Sequence, residues 1–289
     1  MPRSEATSAY LRRLGIDPAA ELPPTHDTLV ALHRAHLDAV PYENLSIMLR
    51  RPPSPDPRDS LVRVGEVGRA GYCFHQNGAL GTVLTELGFD LVRRHGHVWT
   101  GEADRADTFL NHLVLVADGL PTDDNPGGRW WVDVGLGDCF RDPVPVVAGH
   151  HVQHGFDYEI TEVREDGWSF RHDPVGTFAG VEVSSLPVEQ ADVDASHATL
   201  STPPDGRFAS ILVVQRRDGT GIDTVRCCLW TRADARSRTE TELATYDAWR
   251  QALVEGTRLS LEGIEESELR ALYADQWAKH VAWVGAGRP

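Results

Sequence analysis

The chain has 289 residues, 41% of them hydrophobic and 25% charged, and carries a formal charge of −15. That is long enough to bury a sizeable core, as one large domain or two to three small ones, and the composition excludes disordered and fibrous classes. The acidic balance, with basic residues scattered along the chain, excludes a general nucleic-acid partner and an anionic membrane surface, since both need clustered cations.

The first residues, MPRSEATSAYLRR, are charged and lack an apolar segment, and no stretch approaches the roughly 18 apolar residues of a membrane span. A cytoplasmic location is expected. Cys73, Cys139, Cys227 and Cys228 show no CxxC spacing and two of them are adjacent, so reduced thiols are expected rather than disulfides or a zinc site.

Up to about Phe89 the pattern is helical. In THDTLVALHRAHLDAVP the apolar Leu29, Leu32, Ala35, Leu37 and Val40 recur near helical spacing, Asp27 or Thr28 caps the start, and Pro41 ends it. RPPSPDPRD is a connector, Leu61 to Val67 a short helix, and GALGTVLTELGF a helix closed by Gly88. From Asp90 to about Val183 short alternating or β-branched runs such as LVRRHGHVW, HLVLVADG, RWWVDVG, YEITEV and WSFRH, divided by turn residues, predict an antiparallel sheet or barrel. Two further strands, Ala209 to Arg217 and Thr224 to Arg232, precede helical patterns around Thr241 to Val254 and Ser267 to Ala278.

The stretch RAGYCFHQNGAL puts Cys73 where a loop turns into a helix. A thiol attacks as the thiolate, which the unpaired N–H groups and positive dipole of a helix start stabilise. A cysteine nucleophile also needs a base and a group to orient it, whereas a buried structural cysteine needs neither. His112 opens the run HLVLVA, Asp133 lies in RWWVDVG, and the turn-rich DGLPTDDNPGGR separates them, which predicts a hairpin. A regular hairpin centred on that loop sets His112 and Asp133 directly opposite each other on one face, with Cβ atoms roughly 5 Å apart. An Asp holding one imidazole nitrogen while the other faces a thiol is a nucleophilic triad.

Beside this reading stands a resemblance. RAGYCFHQN resembles the RGGxCxExN motif of arylamine N-acetyltransferases, DTFLNHLVLV the strand that begins with their triad His, and WVDVGLGD their DVGFG segment. YLRRLGI, LHRAHLDAVPYENLSI, CFRDPVPV and STPPDGRF match further segments in the family's order, so the likeness covers nearly the whole chain. It implies an α+β fold of three parts: an N-terminal helical domain over residues 1–89, a central antiparallel β-barrel over 90–196 and a C-terminal α/β lid over 197–289. It further implies a papain-like or transglutaminase-like triad of Cys73, His112 and Asp133, and ping-pong transfer of an acetyl or other acyl group from CoA, through a Cys73 thioester, to an arylamine, hydrazine or related amine. Gly137, Thr199, Thr202 and Arg207 are the implied CoA contacts, and Tyr42, Phe109 and Leu136 the implied acceptor pocket; no metal is implied.

Several positions depart from the pattern. Ala70 replaces the first Gly of RGG, His75 the usual Glu, Asn111 a frequent Thr, Leu136 the Phe of DVGFG, His197 a usual Asn and Gly206 a usual Ser. An aliphatic Leu136 stacks an arylamine less well than an aromatic wall. With the altered loop, that motivates a second reading, an amide synthase of the same family taking a long acyl chain from an acyl carrier protein. A third reading is a non-catalytic binding protein on the same fold. His33 with His36, His95 with His97, and the group His150, His151 and His154 lack a Cys or carboxylate at ligand spacing, which argues against metal. Cys139 lacks its own base and is a weak rival nucleophile, while Trp130 and Trp131 are expected in the barrel core and rim.

Overall fold

The computed structural model describes residues 3–203 and 206–287. The N-terminal part holds helices α1 (Glu5–Arg13) and α2 (His26–Ala39), the two-residue strand β1 (Tyr42–Glu43), and helices α3 (Leu45–Met48), α4 (Pro57–Val67) and α5 (Cys73–Glu86). Helix α2 is capped by the Thr25 hydroxyl, which accepts from the Thr28 N–H, rather than by Asp27 or Thr28 as expected. Asp56 caps α4 from a point where Pro57 can occupy the first helical position, so that helix begins four residues before Leu61. Helix α5 likewise begins at Cys73, five residues before the expected Gly78.

The middle of the chain is a run of antiparallel strands: β2 (Asp90–Trp99), β3 (His112–Asp118), β4 (Trp130–Val132), β5 (Val144–Pro145), β6 (Gly149–Gln153), β7 (Phe156–Arg164), β8 (Gly167–Arg171) and β9 (Gly180–Pro187). They pair in the order β5-β4-β3-β2-β9-β8-β7-β6, an eight-stranded sheet that nearly closes into a barrel. Its interior is filled by Val114, Val116, Trp131, Phe140, Tyr158, Phe170 and Val181, all buried. The β3–β4 hairpin pairs Leu115 with Val132 and Ala117 with Trp130, a register two residues away from the expected one. Its loop holds its own turn over Thr122–Gly128 and pairs Leu120 N–H with the Gly128 carbonyl, which shifts the symmetry point of the strands.

Helix α6 (Gln190–Ser201) follows and runs through the expected boundary at residues 196 and 197. Its capping box of Glu189 and Asp192 starts it well before that point. Strands β10 (Val213–Arg217), β11 (Ile222–Arg226), β12 (Leu229–Ala233) and β13 (Arg238–Glu242), then helices α7 (Tyr246–Gln251) and α8 (Glu266–Gly285), complete the chain. The single strand expected over Thr224 to Arg232 is a hairpin. Cys227, at φ 55°, makes the turn between β11 and β12 without any Gly or Asn to announce it. Strand β1 joins this second sheet, in the order β1-β10-β11-β12-β13, with Tyr42 opposite Gln215. Among the described residues, no helix is long and apolar enough to cross a membrane.

Candidate active site

Cys73 is the first residue of α5, and Tyr72 before it gives the helix no side-chain cap. The His75 N–H is taken by the Tyr72 carbonyl, which leaves the N–H groups of Cys73 and Phe74 and the positive end of the helix dipole near the thiol. Gly135 presses against the same residue: a Cβ there would stand 2.6 Å from Cys73 Cα, so only glycine lets the β4 exit pass behind it. Cys73 is 2% exposed, its thiol points toward the Asn111 carbonyl, 3.6 Å away, and the His112 imidazole lies near enough to interact with it electrostatically.

His112 opens β3, and its Nε2 meets Asp133 Oδ2 at 2.6 Å, with both side chains almost wholly buried. Asn111, just before it, carries β2–β3 pairing one rung further: its Oδ1 accepts from Val98 N–H at 2.6 Å and its Nδ2 donates to the Val98 carbonyl at 2.9 Å. Burial opposes a charge on His112, but the Asp133 carboxylate beside it and the neighbouring Cys73 outweigh burial and push its pKa up to about 10. The imidazolium is therefore the form that this environment favours.

Three further donors fix Asp133. Trp131 Nε1 donates to Oδ2 at 3.0 Å, and Asn77 Nδ2 and the Gly135 N–H donate to Oδ1 at 2.8 and 2.9 Å. Asn77 stands one helical turn beyond Cys73 on α5, so it ties the helix of Cys73 to the carboxylate; it also donates to the Leu113 carbonyl at 2.7 Å. Neither Asn77 nor Trp131 was singled out from the sequence for this. Their spacings, i+4 from Cys73 and i−2 from Asp133, were the available signals, because each spacing returns to the same face.

Cys73 and His112 lie in a cavity of about 500 Å³. Tyr42 and Leu136 line it as expected, but Phe109 does not; Phe109 packs instead against the buried cluster of Tyr72, Phe74, Leu110 and Leu113. Further aromatic surface comes from Phe178, which no motif marked, and from Phe208, which closes the segment STPPDGRF but was not singled out for the pocket. Of the expected CoA contacts, Arg207 lines the cavity and Gly137 sits beside it at φ 73° with Gln215 packed over it. Thr199 and Thr202 are exposed and do not line it. Thr199 precedes the cavity-lining Leu200 by one helical step of about 100°, which turns it to solvent, and its hydroxyl bonds the Ala195 carbonyl. Pro204 and Asp205 of the same loop lie outside the described residues. Arg226 and Arg238, brought in by β11 and β13, join Arg207 on the solvent side of the cavity.

Of the departures from the family pattern, Ala70, His75, Leu136, His197 and Gly206 are buried and Asn111 is half-buried. Ala70 is wholly enclosed, with its carbonyl accepting from Arg63 Nε. His75 and His197 touch, with ring centroids 5.2 Å apart, and His197 Nδ1 meets the Tyr72 hydroxyl at 2.7 Å. Burial, and then the nearby His197, hold His75 down at about 3, so it stays neutral. The Cys139 thiol is buried, and burial followed by the charge of Asp138 pushes it well above its ordinary range, which unsuits it for attack. All four cysteines are free. Among the described residues, no group of three or more His, Cys, Asp or Glu side chains is placed to hold a metal ion.

Comparison with known proteins gives this arrangement a context. A family model described as N-acetyltransferase matches residues 25–266. The arylamine N-acetyltransferase of Mycolicibacterium smegmatis is 30% identical over 71% of this chain and 74% of its own length. Proansamycin X synthase of Amycolatopsis mediterranei is 31% identical over 56% of this chain and 60% of its own. The structure of Mycobacterium marinum arylamine N-acetyltransferase in complex with CoA superposes with a TM-score of 0.80 and 24% identity, covering 92% of this chain and 98% of that one. With the family model spanning most of its length, the chain belongs to the arylamine N-acetyltransferase family.

Proposed function

We propose that the protein transfers an acyl group from a CoA thioester to an amine through a thioester on Cys73. The observation that carries this reading is the buried line from Cys73 to His112 to Asp133 at the floor of an open cavity. In the first half-reaction the Cys73 thiolate attacks the donor carbonyl and forms a carbon–sulfur bond. The resulting oxyanion is within the reach of a first-turn N–H of α5, such as that of Cys73 itself. Collapse breaks the donor's carbon–sulfur bond, and the departing CoA thiolate takes the proton of the His112 imidazolium. In the second half-reaction the amine attacks the Cys73 thioester, the now neutral His112 accepts its proton, and the Cys73 thiolate leaves with an imidazolium restored beside it. Asp133 holds His112 by Nε2 throughout, so the other ring nitrogen serves the thiol.

Arg207, Arg226 and Arg238 support a phosphorylated donor, because they gather cations at the cavity of a chain whose formal charge is −15. Phe178 and Phe208 support an aromatic or apolar amine, since they supply the ring surface that Leu136 does not. Intact-mass analysis after incubation with acetyl-CoA should show one acetyl group, lost in Cys73→Ala together with transfer to an arylamine. Unchanged turnover in that variant would overturn the mechanism.

A second reading, amide synthesis from a carrier-bound long acyl chain, is favoured by the similarity to proansamycin X synthase and by Leu136. Loading of Cys73 by long-chain carrier thioesters but not by acetyl-CoA would establish it over the first.

A further inference from the structure

His33 sits in the middle of α2, wholly buried, and was singled out in the sequence only as an unlikely metal ligand. In the fold it stands between the two ends of one loop. Its Nδ1 lies 2.7 Å from the Arg141 carbonyl, and its Nε2 lies 3.0 Å from the Asp133 carbonyl and receives the Asp133 N–H at 3.2 Å. A carbonyl only accepts and a neutral ring has one hydrogen to give, so the shorter contact places it on Nδ1, toward Arg141, and leaves Nε2 its lone pair for the Asp133 N–H. Burial holds the ring's pKa below the ordinary histidine range, which keeps that single tautomer neutral.

The bond to Asp133 fills a gap in the sheet. The β3–β4 ladder ends at Val132, so no rung holds the peptide of the residue whose carboxylate orients His112. The loop between Asp133 and Arg141 also carries Gly135 against Cys73 and Leu136 into the cavity. Its far end is gripped a second time from α2, where Asp38 pairs with both terminal nitrogens of Arg141 at 2.9 and 2.6 Å. Arg34 pairs with Asp142 just beyond it, at 2.7 Å through Nη2.

We propose that His33 is a positioning residue that staples both ends of the 133–141 loop through one imidazole, setting the Asp133–His112 pair at one end and the acceptor wall at Leu136 between them. The inference rests on the role given to Asp133 in the proposed function. Asp38 and Arg34 hold only the outer end.

Two measurements test it without an acyl donor. In nitrogen-15 spectra of the histidine-labelled native chain, His33 should show a protonated Nδ1, an unprotonated Nε2 and no titration between about pH 5 and 8; the opposite tautomer, or an imidazole that titrates there, overturns the staple. In the second, the rate of Cys73 alkylation by iodoacetamide is followed against pH. His33→Leu should lower the rate at neutral pH by at least about ten-fold and move the midpoint of the profile, and His33→Gln, which keeps a donor and an acceptor, should recover part of both. Asp38→Asn should leave that midpoint in place. A folded His33→Leu protein with the native alkylation profile, or an Asp38→Asn protein whose midpoint moves as far as that of His33→Leu, overturns the assignment. Failure of acetyl-CoA to load Cys73, with the alkylation results as expected, would sink the acyl-transfer reading and leave the staple standing.

Discussion

His112 Nε2 reaches Asp133 Oδ2 at 2.6 Å although the two residues are not opposite each other in the sheet. The observed register continues His112 toward Gly135 and Asp133 toward Val114, so the pair is diagonal on a shared face. The imidazole bridges that offset, and Trp131, Asn77 and the Gly135 peptide hold the carboxylate turned toward it. Asp133→Asn keeps the shape but removes the charge that favours the imidazolium, and amide and ring can then settle in the wrong tautomer. Single-turnover acylation of Cys73 should fall by about 10²- to 10⁴-fold with little loss of folding. A rate within about three-fold of the native one would show that the carboxylate is not needed.

The histidines give stability a pH dependence of opposite signs at its two ends. His112 has its pKa raised to about 10 in the fold, so its contribution is fully present below the ordinary value near 6.5 and is lost as the pH rises through about 10. His36, which donates to Gln76 and accepts from the Tyr10 hydroxyl, is held down to about 4 by burial, and His75 to about 3. Their unfolded forms bind protons near 6.5 while the native forms do not, so this stability is present above about 6.5 and falls as the pH drops toward 4 and 3. Urea unfolding across this range should place the stability maximum near neutrality, with declines on both sides. A flat profile from pH 4 to 6.5 would contradict neutral burial of His36 and His75.

Leu136→Phe should restore ring surface on the cavity wall beside Phe178. An added aromatic contact is worth about 0.5–1.5 kcal/mol, so the KM of an arylamine acceptor should fall by roughly two- to ten-fold while the acylation half-reaction is unchanged. An equal effect on a non-aromatic amine would point to packing rather than stacking.

Arg226 has no carboxylate partner among the described residues, whereas Arg238 pairs with Glu240 at 3.1 Å. Arg226→Ala should therefore weaken the donor more than Arg238→Ala does, raising the KM of acetyl-CoA by roughly ten-fold at low salt and less as salt screens the charge. Acetyl-pantetheine, which lacks the phosphates, should acylate both variants at the native rate. Loss with pantetheine as well would mean that the arginines shape the pocket instead.

The order of helices, strands and α/β tail was legible because hydrophobic period and turn residues are local signals. So was the grouping of Cys73, His112 and Asp133, since a hairpin preserves facing parity when its register slips by two, as it does here. The slip itself was hidden, because Thr122–Gly128 folds back on itself inside the loop. Other features were invisible for a different reason. The turn at Cys227 uses a residue type with no preference for positive φ, and β1 is two residues long and exists only because β10 lies beside it. Thr199 and Thr202 were implied by the resemblance of their segment, which carries no information about which side of α6 meets the cavity. Arg226 and Arg238 come together only through the β11–β13 sheet, so nothing near them in the chain announces a shared surface.

Strand β1 has a consequence for the order in which the protein is made. A ribosome completes Cys73, His112 and Asp133 with more than half of the chain still to follow. The strand that pairs with Tyr42, and the residues that close the cavity from Arg207 to Arg238, emerge afterwards. At roughly 5–20 residues per second the gap is on the order of ten seconds. For that interval Cys73, His112 and Asp133 precede their enclosure, and on the proposed mechanism an acyl group taken up early would meet water before it met an amine. A productive nascent chain therefore depends on the cavity wall arriving before the donor does.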